Sequence, residues 1–191
     1  MKKIAIFASG AGSNAENIIR YFDGSPAVSV SVVISNRSNA GVCERVKAWG
    51  IPVVHISKFD FSNSKKVLSL LRHYGVDVIV LAGFLLLVPV YLLKAYPERI
   101  INIHPALLPK FGGKGMYGAK IHEAVVAQGE KETGITIHLI DKHYDGGKIL
   151  LQQRCPVSLQ DTPVDVAMRV HALEYEYYPQ VIEIFCEEGG F

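Results

Sequence analysis

The strongest constraint on the fold is the alternation of short apolar runs with amphipathic segments over the first hundred residues. The apolar runs are rich in Val and Ile, which is typical of strands covered on both faces, and the segments between them carry apolar residues at helical spacing. The predicted strands are 4–8, 28–34, 53–56, 76–82 and 100–104, and the predicted helices include residues 18–22, 42–49 and 67–74. Because crossovers between parallel strands are right-handed, this order predicts an α/β fold with a doubly wound, mostly parallel sheet and helices on both faces.

The pattern changes after residue 105. A helix is predicted over 119–127, followed by strands over 135–140 and 149–157 that are joined by the glycine turn of D-K-H-Y-D-G-G-K. Such a connection is typical of antiparallel strands, so the late part of the sheet should be partly antiparallel. Thr162 and Pro163 form the N-cap and first residue of a last helix. With no evident linker, we expect one domain over 1–191, comprising a half of about 1–100 and a half of about 101–191.

The composition excludes several classes of protein. Hydrophobic residues make up 49% and charged residues 20%, with a net charge of +2 and no long charged run, so we expect a substantial core and no nucleic-acid partner. The N-terminal apolar run stops after about six residues, and the run over 78–93 is shorter than the ~20 residues of a membrane span. We therefore expect a cytoplasmic protein with no membrane partner, either a monomer or a homodimer.

The segment I-I-N-I-H-P places polar side chains at the end of a buried strand. Asn102 and His104 are two residues apart and therefore share a face, and ligands of parallel sheets bind beyond the carboxyl ends of the strands. A neutral amide donor next to a titratable ring is suited to catalysis, and Asp145 in Y-D-G-G could orient the ring. The alternative is that His104 is a core histidine and Asp145 a turn residue.

The stretch S-G-A-G-S-N over 9–14 lies between a predicted strand and a predicted helix, where backbone N–H groups and the helix dipole favour an anion. It is not a dinucleotide motif because Ala15 replaces the third glycine, so no nicotinamide cofactor is expected. A monophosphate is the favoured ligand, and a merely tight turn is the alternative. His138, Asp141 and His143 do not form a recognised ligand set, so no metal is expected.

Three motifs together carry a resemblance over nearly the whole chain: S-G-x-G-S-N, N-I-H-P-x-L-L-P-K and G-I-T-I-H-L-I-D-x-x-Y-D-G-G-K-I-L. This combination resembles the phosphoribosylglycinamide formyltransferases, a branch of the folate-dependent formyltransferase superfamily. The resemblance implies a Rossmann-like formyltransferase fold. It also implies transfer of a formyl group from the co-substrate 10-formyltetrahydrofolate to the amine of N1-(5-phospho-D-ribosyl)glycinamide, in purine biosynthesis.

The resemblance also implies roles for particular residues. Asn102, His104 and Asp145 match the family's catalytic triplet, and Glu174 would meet the ribose hydroxyls. The substrate phosphate would be held by Gly12, Ser13 and Asn14. The folate would be bound by Asn102 and by residues of the segments 82–88 and 140–145, namely Leu85, Leu86, Leu87, Val88, Ile140 and Asp141.

The chain departs from many relatives at two places. Leu85 and Leu86 stand where Met-Arg is common, and Asn63 lies near the position of another usual arginine. Those arginines would meet the glutamate tail of the folate, so folate affinity and tail preference are expected to differ. Two other functions stay open: formyl transfer to another phosphorylated amine, and a non-catalytic nucleotide-sugar-binding domain of the same fold.

Overall fold

The computed structural model describes residues 1–189, which form one seven-stranded sheet with helices on both faces. The strands are β1 (Lys2–Ala8), β2 (Val28–Ser35), β3 (Val53–His55), β4 (Val78–Leu81), β5 (Ile100–His104), β6 (Glu132–Leu139) and β7 (Ile149–Pro156). The helices are α1 (Ser13–Tyr21), α2 (Gly41–Arg45), α3 (Lys58–Phe61), α4 (Ser64–His73), α5 (Val90–Ala95), α6 (Ala119–Ala127) and α7 (Pro163–Glu188), with a 3₁₀ turn at Lys47–Trp49.

The strand order is β3-β2-β1-β4-β5-β6-β7. Strands β1 to β5 pair in parallel, whereas β6 is antiparallel to both β5 and β7. The predicted fold class is therefore confirmed, including the antiparallel character of the late strands. The chain moves outward in one direction after β1 and in the other direction after β4, which makes the gap between these strands the topological switch point where ligands of such sheets bind.

Alternate residues of β1 supply the two faces of the sheet. Ile4 and Ile6 pack with apolar residues of α1, α6 and α7, whereas Ala5 and Phe7 pack with those of α4 and α5. Both layers are almost completely removed from water, and burial of each large side chain contributes roughly 1.5–3 kcal/mol. The sheet is therefore rigid where its strand ends must hold a site.

Helices α3 and α5 have no counterpart among the sequence predictions, and the predicted helix over 42–49 is divided into α2 and a 3₁₀ turn. These elements span six residues or fewer, which is too short for a helical period to be read from the sequence. Strand β4 is also shorter than predicted, although Asp77 before it still contacts β1: its backbone N–H donates to the carbonyl of Lys3 and its side chain accepts from the Lys3 N–H. Among the described helices, none combines the length and apolar character that crossing a membrane requires.

Candidate active site

Two adjoining cavities open beside the switch point. The large cavity, of about 750 Å³, is bounded by the β1–α1 turn, the end of β5 and helices α6 and α7. The small cavity, of about 360 Å³, is bounded by the segment after β4, the glycine-rich loop before α6 and the loop between β6 and β7. Asn102 and Asp145 line both cavities, so two ligands, one in each cavity, would meet at these side chains.

His104 and Asp145 are brought together although 41 positions separate them in the sequence (145 − 104). The ring Nδ1 of His104 lies 3.4 Å from Oδ1 of Asp145, and its Nε2 donates a hydrogen bond to the carbonyl of Phe111 at 2.8 Å. The ring is 4% exposed. The carbonyl of Phe111 only accepts, so Nε2 of His104 carries a hydrogen.

Asp145 is held as a carboxylate. Burial alone would raise its pKa, but the hydrogen bond and charge of His104, the Gly113 N–H and the His138 ring together lower the pKa below its ordinary value. The Gly113 N–H donates to Oδ2 at 2.7 Å, which also ties the glycine-rich loop to the site. A carboxylate whose pKa is lowered is suited to orienting the neighbouring imidazole.

The loop between β6 and β7 owes its path to local backbone geometry. Asp145 has φ +51°, and Gly147 has φ +107°, a conformation that a side chain rarely adopts. A Cβ on Gly147 would lie 1.9 Å from the carbonyl oxygen of Leu139, so this position requires glycine. The close approach of backbone to backbone lets the loop double back, which brings Asp145 to His104.

Asn102 is held by a second histidine. Its amide Nδ2 lies 3.1 Å from Nε2 of His138, which faces it from the neighbouring strand β6. His138 is 1% exposed, and burial lowers the pKa of its ring in spite of opposing hydrogen bonds to the carbonyls of Gly146 and Leu139. The sequence analysis had rejected His138 as a metal ligand and had given it no specific role in the site. Its contact with Asn102 could be predicted only from the register in which β5 pairs with β6.

The predicted phosphate-binding residues begin helix α1. Gly12 has φ +83°, and a Cβ there would lie 2.5 Å from that of Val42, so glycine is again required. Gly12, Ser13 and Asn14 all line the large cavity. Arg37, which follows β2, also lines it and was missed by the sequence prediction, although its place after a neighbouring parallel strand is a usable signal.

Glu174 also lines the large cavity, next to Asn14, and is 4% exposed. Its Oε2 accepts hydrogen bonds from Asn14 Nδ2 at 3.0 Å and from His171 Nδ1 at 2.7 Å. The bond to Glu174 raises the pKa of His171 although burial opposes it, whereas burial and then His171 lower the pKa of His122. Neither histidine was singled out from the sequence, although His171 lies three residues before Glu174 on α7.

The predicted folate-binding residues surround the small cavity. Its lining includes Leu85, Leu86, Leu87, Val88, Asn102, Ile140 and Asp141. Asn63 is not among the residues that line either cavity; its Oδ1 instead accepts a hydrogen bond from the Lys66 N–H and caps helix α4. Within residues 1–189, no three acidic, histidine or cysteine side chains are grouped so that they could hold a metal ion.

Comparison with known proteins adds an independent observation. A family model described as "Formyl transferase" matches residues 2–182. The chain is 44% identical to "Phosphoribosylglycinamide formyltransferase, chloroplastic" from Arabidopsis thaliana, over 98% of this chain and 66% of the relative. It is 36% identical to "Phosphoribosylglycinamide formyltransferase" from Bacillus subtilis (strain 168), over 96% of this chain and 94% of the relative.

Solved structures agree with the sequence comparisons. Glycinamide ribonucleotide transformylase 1 from Symbiobacterium toebii superposes with a TM-score of 0.89 at 34% identity, covering 98% of this chain and 88% of that one. Phosphoribosylglycinamide formyltransferase from Streptococcus pneumoniae TIGR4 superposes with a TM-score of 0.85 at 36% identity, covering 97% of this chain and 99% of that one. The chain spans between 62% and 66% of the length of three plant relatives.

Proposed function

Because the chain belongs to the formyl transferase family, we propose that it transfers the formyl group of 10-formyltetrahydrofolate to the amine of N1-(5-phospho-D-ribosyl)glycinamide. The products are the N-formyl ribonucleotide and tetrahydrofolate, in purine biosynthesis. The observation that carries this proposal is the meeting of two cavities at Asn102 and Asp145, with His104 beside them. A transfer between two bound substrates requires this kind of shared boundary.

The large cavity is suited to the ribonucleotide. The N-terminus of α1, at Gly12 and Ser13, offers backbone N–H groups and the positive end of a helix dipole to a phosphate. Glu174 is a poor neighbour for a phosphate because both are anions, but its carboxylate and the adjacent Asn14 suit hydroxyl groups. We therefore assign the phosphate to the start of α1 and the ribose hydroxyls to Glu174.

The small cavity is suited to the folate. Leu85, Leu86, Leu87 and Val88 form an apolar lining that would cover a flat ring, and Ile140 and Asp141 line the same cavity. Pockets for such ligands are mostly apolar and contain few polar groups. Leu86 lines this cavity without offering a cation, which supports the expectation that the glutamate tail contributes less here than in arginine-bearing relatives.

The chemistry follows from the residues at the boundary. The neutral amine attacks the formyl carbon, and the negative charge that develops on the formyl oxygen is stabilised by the Asn102 amide, which has a second hydrogen not used by His138. His104 contributes its positive charge when protonated. Both ring nitrogens of His104 already have partners, the Phe111 carbonyl and the Asp145 carboxylate. His104 could therefore donate a hydrogen bond directly to the formyl oxygen only by breaking one of these two contacts.

Asp145 is assigned to proton transfer. It orients the His104 ring and, through a water molecule, passes the proton released by the attacking amine to N10 of the folate as the bond from carbon to N10 breaks. One proton leaves the amine and one arrives at N10, so the reaction needs no other reagent.

We also propose that the protein acts in the cytoplasm as a monomer or a homodimer, which fractionation and sedimentation would test.

The deciding experiment follows the absorbance change as a 10-formyl folate loses its formyl group, with and without the ribonucleotide. We expect deformylation that depends on N1-(5-phospho-D-ribosyl)glycinamide and is not supported by other phosphorylated amines. Deformylation without an acceptor would instead identify a hydrolase. An inactive protein that still binds the ribonucleotide would leave a non-catalytic nucleotide-sugar-binding domain.

A further inference from the structure

His138 lies opposite Asn102 in the pairing of β5 with β6. The amide Nδ2 of Asn102 and the ring Nε2 of His138 are 3.1 Å apart, a hydrogen-bonding distance. His138 is 1% exposed. The His138 side of the contact is therefore shielded from water, where a correctly paired hydrogen bond favours one side-chain orientation.

The other ring nitrogen of His138 determines the direction of this bond. Nδ1 lies 3.0 Å from the carbonyl oxygen of Gly146 and 3.3 Å from that of Leu139. A carbonyl oxygen only accepts, so Nδ1 must carry the hydrogen. Burial lowers the pKa of the ring, which is therefore neutral near pH 7, and its Nε2 has a free lone pair. The Asn102 –NH₂ group must then donate to Nε2.

The same ring connects both sides of the cavity boundary. Gly146 follows Asp145 directly, so the carbonyl that fixes the tautomer of His138 belongs to the loop that carries the carboxylate. A flipped Asn102 amide would place its oxygen lone pairs against the lone pair of Nε2 and turn its hydrogens away from the formyl group. An oriented amide presents its second hydrogen to the boundary of the cavities.

We propose that His138 is a positioning residue that fixes the Asn102 amide as a hydrogen-bond donor to the developing oxyanion. This inference rests on the proposed formyl transfer. Loss of one such donor typically lowers kcat by roughly 10²–10³-fold, so a His138 variant that frees the amide should approach that loss. Substrate affinity should change little because His138 lines neither cavity.

Acid should also disrupt the arrangement. Protonation of His138 places a hydrogen on Nε2, which then faces the –NH₂ group of Asn102 donor to donor. The charged groups that act on His138 are Asp145, which favours protonation, and His104, which opposes it. Because the pKa of His138 is lowered, we expect an acidic fall in kcat below the ordinary histidine range of about 6.5.

Three variants test the proposal. His138→Leu removes the acceptor and should lower kcat by roughly 10²-fold while leaving both KM values within about threefold. His138→Gln can still accept from Asn102 and donate to Gly146 but does not titrate, so it should recover most of the activity and lose the acidic fall. His73→Gln, at an exposed position on α4, is the control and should behave as the unsubstituted protein.

A double-mutant cycle separates positioning from a general structural effect. If His138 acts through Asn102, His138→Leu should cause no further loss of kcat in an Asn102→Ala background. Additive losses would overturn the proposal. If His138→Leu does not fold, as judged by circular dichroism, the Gln variant and its pH profile give the decision, and an unchanged acidic fall would overturn it.

Nuclear magnetic resonance of the ring nitrogens tests the arrangement without relying on activity. We expect His138 in the Nδ1–H form at pH 7 and a change in the Asn102 –NH₂ resonances in His138→Gln. An Nε2–H tautomer would overturn the proposal even in an active enzyme. The expected tautomer in a protein without formyl transfer would instead refute the proposed function while preserving the contact.

Discussion

Replacement of Asp145 by asparagine is the sharpest test of the proposed chemistry. Asparagine has nearly the same size and adopts positive φ more readily than most residues, so the backbone at φ +51° should be kept. Its Oδ1 can still accept the Gly113 N–H, so the glycine-rich loop should stay attached. Because asparagine has only one acceptor oxygen, the substitution removes the negative charge and the acceptor that faces His104 Nδ1.

The size of the effect can be bounded from the distance to His104. When His104 is protonated, its charge and that of Asp145, 3.4 Å apart, attract by about 5 kcal/mol at an effective dielectric constant of about 20, which is a ceiling because Asp145 keeps 18% side-chain exposure. Proton transfer by a positioned side chain gives roughly 10²–10⁴-fold. These rate factors correspond to an increase of about 2.7–5.4 kcal/mol in the activation free energy. Loss of the attraction between Asp145 and His104 is therefore large enough to account for such a loss of rate.

We therefore expect Asp145→Asn to lower kcat by roughly 10²–10⁴-fold, with both KM values changed by less than about threefold. The measurement is deformylation of a 10-formyl folate under saturating ribonucleotide, with thermal unfolding as a check on the fold. Asp23→Asn, an exposed change beyond α1, is the matched control and should retain full activity. Turnover near that of the control would remove Asp145 from the chemistry.

Three further outcomes are expected. Tyr178→Phe should lower the free energy of unfolding in urea by about 1 kcal/mol, because the buried hydroxyl donates to the carbonyls of Leu81 and Ile101; an unchanged value would contradict this. Ser13→Asp should abolish ribonucleotide binding in calorimetry by repulsion of the phosphate, and retained affinity would place the phosphate elsewhere. The pKa of Asp145 is lowered in the folded protein, so its carboxylate contributes fully to the free energy of unfolding above about pH 4. This contribution is lost as the pH falls through the lowered pKa. The urea unfolding curves of the unsubstituted protein and of Asp145→Asn should therefore converge in acid.

Strand β5 and helix α6 were predicted with the bounds that the structure has. Residues next to each element mark its limits in the sequence: Pro105 follows the apolar strand, and Gly118 precedes the helix. Helix α5 has no such signal. It begins after Pro89 inside a long apolar stretch whose residues could equally form a strand, and only its packing against the sheet selects a helix.

The sequence predicted which residues belong to the candidate site more fully than it predicted the contacts between their side chains. Asn102 and His104 share a strand, so their common face follows from the period of two. The contact between Asn102 and His138 depends on the register of β5 with β6, and a shift of one residue would place a neighbour of His138 there instead. Sequence patterns determine which residues point inward, but they do not determine which inward residues meet.

The position of Asp145 shows why the usual rule for parallel sheets is incomplete here. That rule places ligand-binding residues beyond the carboxyl ends of the strands, but β6 runs antiparallel, and its last residue, Leu139, pairs with Ile101 near the start of β5. A loop leaving β6 there begins at the wrong end of β5 to reach His104. It reaches His104 because Gly147 lets the backbone approach Leu139 closely and doubles the loop back. A Gly147→Ala change should therefore lower kcat in the deformylation assay through the path of this loop, although Gly147 lines neither cavity, and an unchanged kcat would contradict this.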